Sequence, residues 1–233
     1  EGEQVNIYGN HVGSWNFAAT AYLNRWKVKI YYEHYFDDHS QMFFQYGRWK
    51  DGHIGLEITF PKNRFIDTFV YEGLGTKDQT GPMLYDSFWG EFEEQISAKD
   101  NYYNHYLYQG WQHWGMGIGN PLLPGPIYNK NGQITFISNR VLAHHIGFCG
   151  SPCQSLSYRM LLSYSRHWGT YDNPLNEIKK QFNSLFEVTY APQQLKGWSF
   201  TVSGAMDRGS ILGNNYGGML VIRKQGIIKS GNK

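Results

Sequence analysis

The chain of 233 residues is 41% hydrophobic and only 17% charged, with 27 glycines and a formal net charge of +2. Both fractions lie below the globular norms of ~45–50% apolar and ~25% charged, and the mean hydropathy of −0.54 goes with no apolar run near the ~18 residues of a membrane helix. These numbers exclude a disordered chain and a helical membrane bundle, and a pI of about 8.4 is too mild to argue for nucleic acid.

The deficit is filled by 18 Tyr, 14 Phe and 8 Trp, strand-forming residues, with glycine for turns. Aromatics on a hydrophilic average fit a β-barrel, which hides its apolar residues in alternation. Residues 1–12 lack the basic start and apolar core of a signal peptide and hold no initiator Met, so a mature product or a piece of something longer is expected.

In chain order, a strand is predicted around 4–11. Residues 15–23 then put Trp15, Phe17, Ala19, Ala21 and Leu23 on one face and Asn16, Ala18, Thr20 and Tyr22 on the other. Residues 26–34 alternate Trp26, Val28, Ile30 and Tyr32 with Lys27, Lys29, Tyr31 and Glu33. Weaker alternation predicts strands over 54–60, 65–74, 140–149 and 214–223, and 106–118 reads as extended. The clearest later strands are 156–165, 182–190 and 198–207, where Leu156, Tyr158, Met160, Phe186, Val188, Phe200 and Val202 oppose Ser157, Arg159, Glu187, Thr201 and Ser203. The total is about ten or eleven strands.

Short turns are expected at Asn24–Arg25, Pro61–Arg64, Gly150–Ser155 and Pro192–Gly197, and long loops at 38–51, 78–105, 119–139 and 170–181. Alternating short turns and long loops is the layout of an antiparallel up-and-down transmembrane barrel. Aromatics flank the short turns (Trp26, Phe60, Phe65, Phe148, Tyr158, Tyr190 and Trp198) as an interfacial girdle. The competing fold is a soluble antiparallel sandwich, which also alternates but needs no aromatic band at every short turn. Strand parity requires an even number of crossings between 65–77 and 140–149. Either 106–118 belongs to one large external excursion, the favoured choice, or a further strand lies near 133–138. Cys149 and Cys153 are the only cysteines. A Gly-Pro turn between them would allow a disulfide, and two free thiols on adjoining strands is the alternative. A zinc site would need a second ligand pair that the sequence lacks.

Several segments together resemble the capsule assembly protein (Wzi) family of Gram-negative outer membranes: GNHVGSWNF (9–17), RWKVKIYYEHYFDD (25–38), TKDQTGPMLYD (76–86), DNYYNHYLYQGW (100–111), NRVLAHHIGF (139–148), YRMLLSYSRHWGTY (158–171), FNSLFEVTY (182–190) and LGNNYGGML (212–220). The resemblance runs over nearly the whole chain in family order, with no catalytic motif among the segments. It implies a larger barrel of about eighteen strands in the bacterial outer membrane, holding capsular or extracellular polysaccharide at the cell surface as a lectin does. It covers only the C-terminal part of a family member, so remaining barrel strands or other outer-membrane proteins are expected as partners beside outer-membrane lipid. The ending IIKSGNK departs from the aromatic residue common at barrel termini.

Sugar recognition needs flat apolar faces for pyranose rings and polar groups for hydroxyls. The long loops supply candidates in Tyr46, Arg48, Trp49 and Lys50, in Trp89, and in Tyr102, Tyr103, Trp111 and Trp114. Arg48 and Lys50 could also pair with a sugar carboxylate. The alternative is that these aromatics pack the loops upon themselves. Lys27, Lys29, Glu33, Glu57, Glu72, Arg159, Glu187, Asp207 and Arg223 fall on the inner face, as a salt-bridged interior or a merely solvated wall. His144 and His145 are adjacent on a strand and point to opposite faces, so they cannot chelate together. Ser163 and Ser165 lie near His167 at a spacing common in serine-rich strands. The acidic run EFEEQ (91–95) is a weak cation candidate. No enzyme and no cofactor is expected; a porin or a structural barrel subunit is the alternative function.

Overall fold

The computed structural model describes residues 12–36, 51–63, 65–79, 101–104 and 111–226. Nine strands form one antiparallel sheet: β1 (Gly13–Leu23), β2 (Trp26–Phe36), β3 (Gly52–Thr59), β4 (Thr68–Gly75), β7 (Val141–Cys153), β8 (Leu156–Gly169), β9 (Pro174–Tyr190), β10 (Trp198–Gly209) and β11 (Asn215–Lys224). Their spatial order is their chain order, an up-and-down meander whose edges, β1 and β11, do not pair with one another. A separate pair, β5 (Gln112–His113) and β6 (Met116–Gly117), is only two residues long on each side.

Direct pairing of β4 with β7 answers the parity question: the chain between them makes one excursion, and its described residues add no strand to the sheet. The expected extended run at 106–118 shrinks, within its described part, to the β5–β6 pair, and 133–138 is not a strand. The long loop expected at 170–181 is corrected. β9 already begins at Pro174, and Lys179, Lys180 and Gln181 pair with His167, Arg166 and Ser165. A charged run such as EIKK reads as loop, but a strand that extends past its apolar band keeps its backbone paired while its side chains meet water. The turn expected at Gly150–Ser155 narrows to Gln154–Ser155, because β7 continues through a bulge to Cys153. Residues 4–11 and 38–50 lie outside the described residues.

The pairing register fixes two faces. Tyr32 opposes Phe17 and Ile54; Tyr71 opposes Leu56 and Ile146; Leu162 opposes Ile146 and Ser184. Followed across nine strands, one face is almost wholly apolar and the other carries the polar and charged residues. Exposure runs opposite to a water-soluble sheet. On β10, Val202 is 61% exposed while its neighbour Ser203 is 6%. On β8, Tyr164 is 40% exposed and Ser165 2%. Most of the apolar face is uncovered, with His34 of β2 the buried exception at the end away from the short turns, and on the strands between the two edges the polar face is the one that is packed and hydrogen-bonded.

The two ends of the sheet also differ. At one end lie the connections after β1, β3, β7 and β9; Asn24, at φ 56°, closes the first of them in the left-handed conformation that asparagine tolerates. Aromatics collect there. Trp26 and Phe60 stand 5.0 Å apart, Phe148 and Tyr158 6.3 Å, and Trp198 stacks on Phe200 at 6.3 Å. The Tyr158 hydroxyl donates to the Phe65 carbonyl at 2.6 Å. The excursion 76–140 leaves from the opposite end.

A small apolar core sits at that opposite end, on the polar side of the sheet. Leu74, Val141 and Ala143 project there from β4 and β7, and the excursion covers them with Leu123, Leu122 and Tyr103, beside Tyr35 of β2. The excursion therefore folds over this end of the polar face.

Candidate functional site

The folded-over excursion is held by buried polar groups. Asp51, immediately before β3, accepts the Asp78 amide at 2.8 Å, the Gln79 amide, and the Tyr102 hydroxyl at 2.9 Å. Burial pushes the Asp51 carboxyl above its ordinary range, and these three donors work against that rise. The Asn139 side-chain amide donates to the Tyr102 carbonyl at 2.8 Å, and the Asn139 carbonyl accepts from the Thr76 hydroxyl at 2.6 Å. Asn104 bonds both ways to the Phe136 backbone, each at 2.8 Å, replacing a missing strand partner.

The sugar-binding candidates fall into different environments. Tyr102 is 5% exposed and bound to Asp51, so its ring offers no face for a sugar. Tyr103 stacks on Phe136 with centroids 4.8 Å apart, as in loops that pack upon themselves. Trp111 is half-buried and its carbonyl accepts the Ile118 amide. Trp114 differs: it sits in the β5–β6 turn at φ 52°, 84% exposed, edge-on to His113. Tyr46, Arg48, Trp49, Lys50 and Trp89 lie outside the described residues, as does the acidic run 91–95.

The polar face carries the inner charges in a bonded array. Lys27 pairs with Glu57 at 3.6 Å and Arg159 with Glu187 at 3.4 Å. His53 lies between Glu33 (3.7 Å) and Glu72 (3.6 Å), and the Tyr31 hydroxyl donates to Glu72. Asn183 donates to Asp207 at 2.6 Å, and Lys29 lies over the Tyr31 ring. His53 and Tyr31 escaped notice as site residues, although the period-two register that places Glu57 also places His53 on this face.

Two serine–histidine pairs are present: Ser163 with His145 at 2.7 Å and Ser165 with His167 at 2.8 Å. A nucleophilic triad needs a group that orients the imidazole. Among the described residues no carboxylate hydrogen-bonds either ring, and the other nitrogen of His167 faces the Ser138 hydroxyl at 3.5 Å. No set of three or more metal-ligating side chains converges among the described residues. Cys149 and Cys153 are free thiols along the single strand β7 rather than across a turn. Four residues of extended strand separate α-carbons by about 13 Å, against a disulfide limit near 7 Å.

No family model matches the chain, and no curated protein or solved structure matches it.

Proposed function

We propose that the nine-stranded sheet is part of an outer-membrane barrel wall whose excursion and rim bind capsular or extracellular polysaccharide and help retain it at the cell surface. One observation carries the membrane half: large apolar side chains stand uncovered on one face of the sheet from β1 to β11, while on the strands between the two edges the opposite, polar face is packed and bonded. A sandwich would cover that apolar face with a second sheet. In lipid it needs no cover, and the aromatic cluster at the short-turn end falls where an interfacial girdle belongs. Sheet edges are not tolerated in lipid, so closure takes strands beyond these nine.

The polysaccharide half rests on the resemblance to capsule assembly proteins and on the exposed Trp114 above an inward-folded excursion. A polymer offers many identical sugars to one site, so weak stacking contacts accumulate. The inward fold favours retention over passage, since the excursion packs on the polar face at its mouth. Two measurements test this. Purified chain in detergent, incubated with capsular polysaccharide, is expected to pull the polymer down. In planar bilayers it is expected to give no large steady conductance; a porin-sized current without polymer binding would replace polysaccharide retention with a channel function.

A further inference from the structure

The uncovered apolar face is not uniform. Near the excursion end, Phe17, Tyr32, Ile54, Gly73, Gly75 and Leu142 line an apolar groove of about 860 Å³ that crosses the sheet from β1 to β7. Its floor is low because Gly73 and Gly75 occupy outward positions that other strands fill with large side chains. A volume of this size is in the range of small-molecule sites.

The groove runs towards a cluster of cations. Past Gly75 the next outward residue is Lys77, and past Leu142 it is Arg140. The Lys77 ammonium lies 4.8 Å from the centre of the Trp168 ring and the Arg166 guanidinium 5.4 Å from the same ring. The Arg140 guanidinium lies 3.8 Å from the Tyr171 ring, whose hydroxyl donates to the Lys77 carbonyl at 3.3 Å. Lys180 pairs across from Arg166, and Arg208 follows on β10 beside Phe182. Among the described residues none of these five cations has a carboxylate within ion-pair distance. Of the nearest acids along the chain, the Asp172 carboxylate accepts from the Asn101 side-chain amide at 2.9 Å. Like charges gathered with no ion-paired carboxylate among the described residues, above a groove suited to hydrocarbon, complement an anionic headgroup carrying acyl chains.

We propose that this groove and its cationic end form a binding site for a phosphorylated membrane lipid of the leaflet on the excursion side. The acyl chains lie along Gly73 and Gly75, and the phosphate sits among Lys77, Arg140 and Arg166. Lys180 and Arg208 extend the same row towards neighbouring headgroups. The site rests on the membrane reading above and adds a ligand to it.

Native mass spectrometry of the full chain in neutral detergent tests the proposal, with dioleoyl phosphatidic acid, dioleoyl phosphatidylcholine and inorganic phosphate as separate probes. A one-to-one adduct with phosphatidic acid is expected, and neither phosphatidylcholine nor inorganic phosphate should displace it at equal concentration. The triple variant Lys77→Gln/Arg140→Gln/Arg166→Gln should weaken it roughly 100-fold, at about fivefold per charge. Gly73→Leu should weaken it independently by filling the groove; a β-carbon there comes no closer than 3.4 Å to Ile54, so the strand can accept it. Lys27→Gln/Lys29→Gln, on the other face, should leave the adduct unchanged. Equal binding by the triple variant, or displacement by inorganic phosphate, overturns the site. Flotation with phosphatidylcholine vesicles reports the membrane reading separately. A chain that floats without preferring phosphatidic acid loses the lipid site alone, and a chain that does not float loses both.

Discussion

The Tyr102 hydroxyl reaches across 2.9 Å to the buried carboxylate of Asp51, joining the excursion to the residue that leads into β3. Asp51 also takes two amides from 78–79, so one side chain fixes both the start and a later part of the excursion. Tyr102→Phe removes one hydrogen bond to a charged acceptor and should cost about 1.5–3 kcal/mol locally. The expected readout is faster amide exchange at Thr76, Gln79 and Asn139, with exchange in β8 and β9 unchanged.

The same carboxyl makes this junction pH-dependent. Its folded value is raised by burial, so the folded state holds a proton that the unfolded state has already lost. Stability from this group is therefore complete below the ordinary aspartate value of about 3.9 and falls as pH rises through the raised value. Amide protection at Gln79 should weaken over that interval in the native chain. Asp51→Asn should abolish the slope and leave protection low at every pH, because an amide side chain cannot accept all three donors.

Tyr31 lies flat over Gly55, its cross-strand partner, to reach Glu72 one strand further on. A β-carbon at Gly55 would stand 2.0 Å from that ring. Gly55→Ala should therefore displace Tyr31, break its bond to Glu72 and cost about 1–3 kcal/mol. Tyr31→Ala in the same chain should recover part of that loss, giving a coupling of about 0.5–3 kcal/mol in a double-mutant cycle read by denaturant titration. Additive losses would show that the two positions do not share one packing arrangement.

The two faces were legible in the sequence because a strand repeats every two residues. Trp26-Val28-Ile30 against Lys27-Lys29-Glu33 needs no tertiary information, and neither do the aromatics beside the short turns. The excursion was not legible, because Leu123, Phe136 and Asn139 follow no period and their partners lie far away in sequence. The far end of β9 was misread for a different reason. Its lysines resemble loop, and only pairing with Arg166 and His167 reveals a strand. The cationic cluster around Trp168 was hidden likewise: Lys77, Arg140 and Arg166 are distant in sequence and meet only through register.

Ile30 sits midway along β2 on the apolar face and is uncovered. If that face meets lipid, Ile30→Arg should destabilise the chain in vesicles by about 2–4 kcal/mol. Thr201→Arg, on the polar face, should cost far less. In a water-exposed sheet the order would reverse, since an exposed isoleucine is freely replaced and a half-buried threonine bonded to Thr189 is not. Refolding titrations of both variants in phosphatidylcholine vesicles distinguish the two.

Trp114 is the described aromatic best presented for stacking, held out on the β5–β6 turn with its ring in solvent. It supports no core, so Trp114→Ala should change stability by no more than about 0.5 kcal/mol. An aromatic stacking contact contributes about 1 kcal/mol, so its loss should weaken polymer binding about fivefold per site, more where one polymer spans several sites. Pull-down of capsular polysaccharide by the variant, alongside Arg48→Ala/Trp49→Ala, separates the two loops. Unchanged retention with Trp114→Ala and a loss with Arg48→Ala/Trp49→Ala would move the sugar contact to 43–50. Loss with Trp114→Ala alone would assign it to the β5–β6 turn.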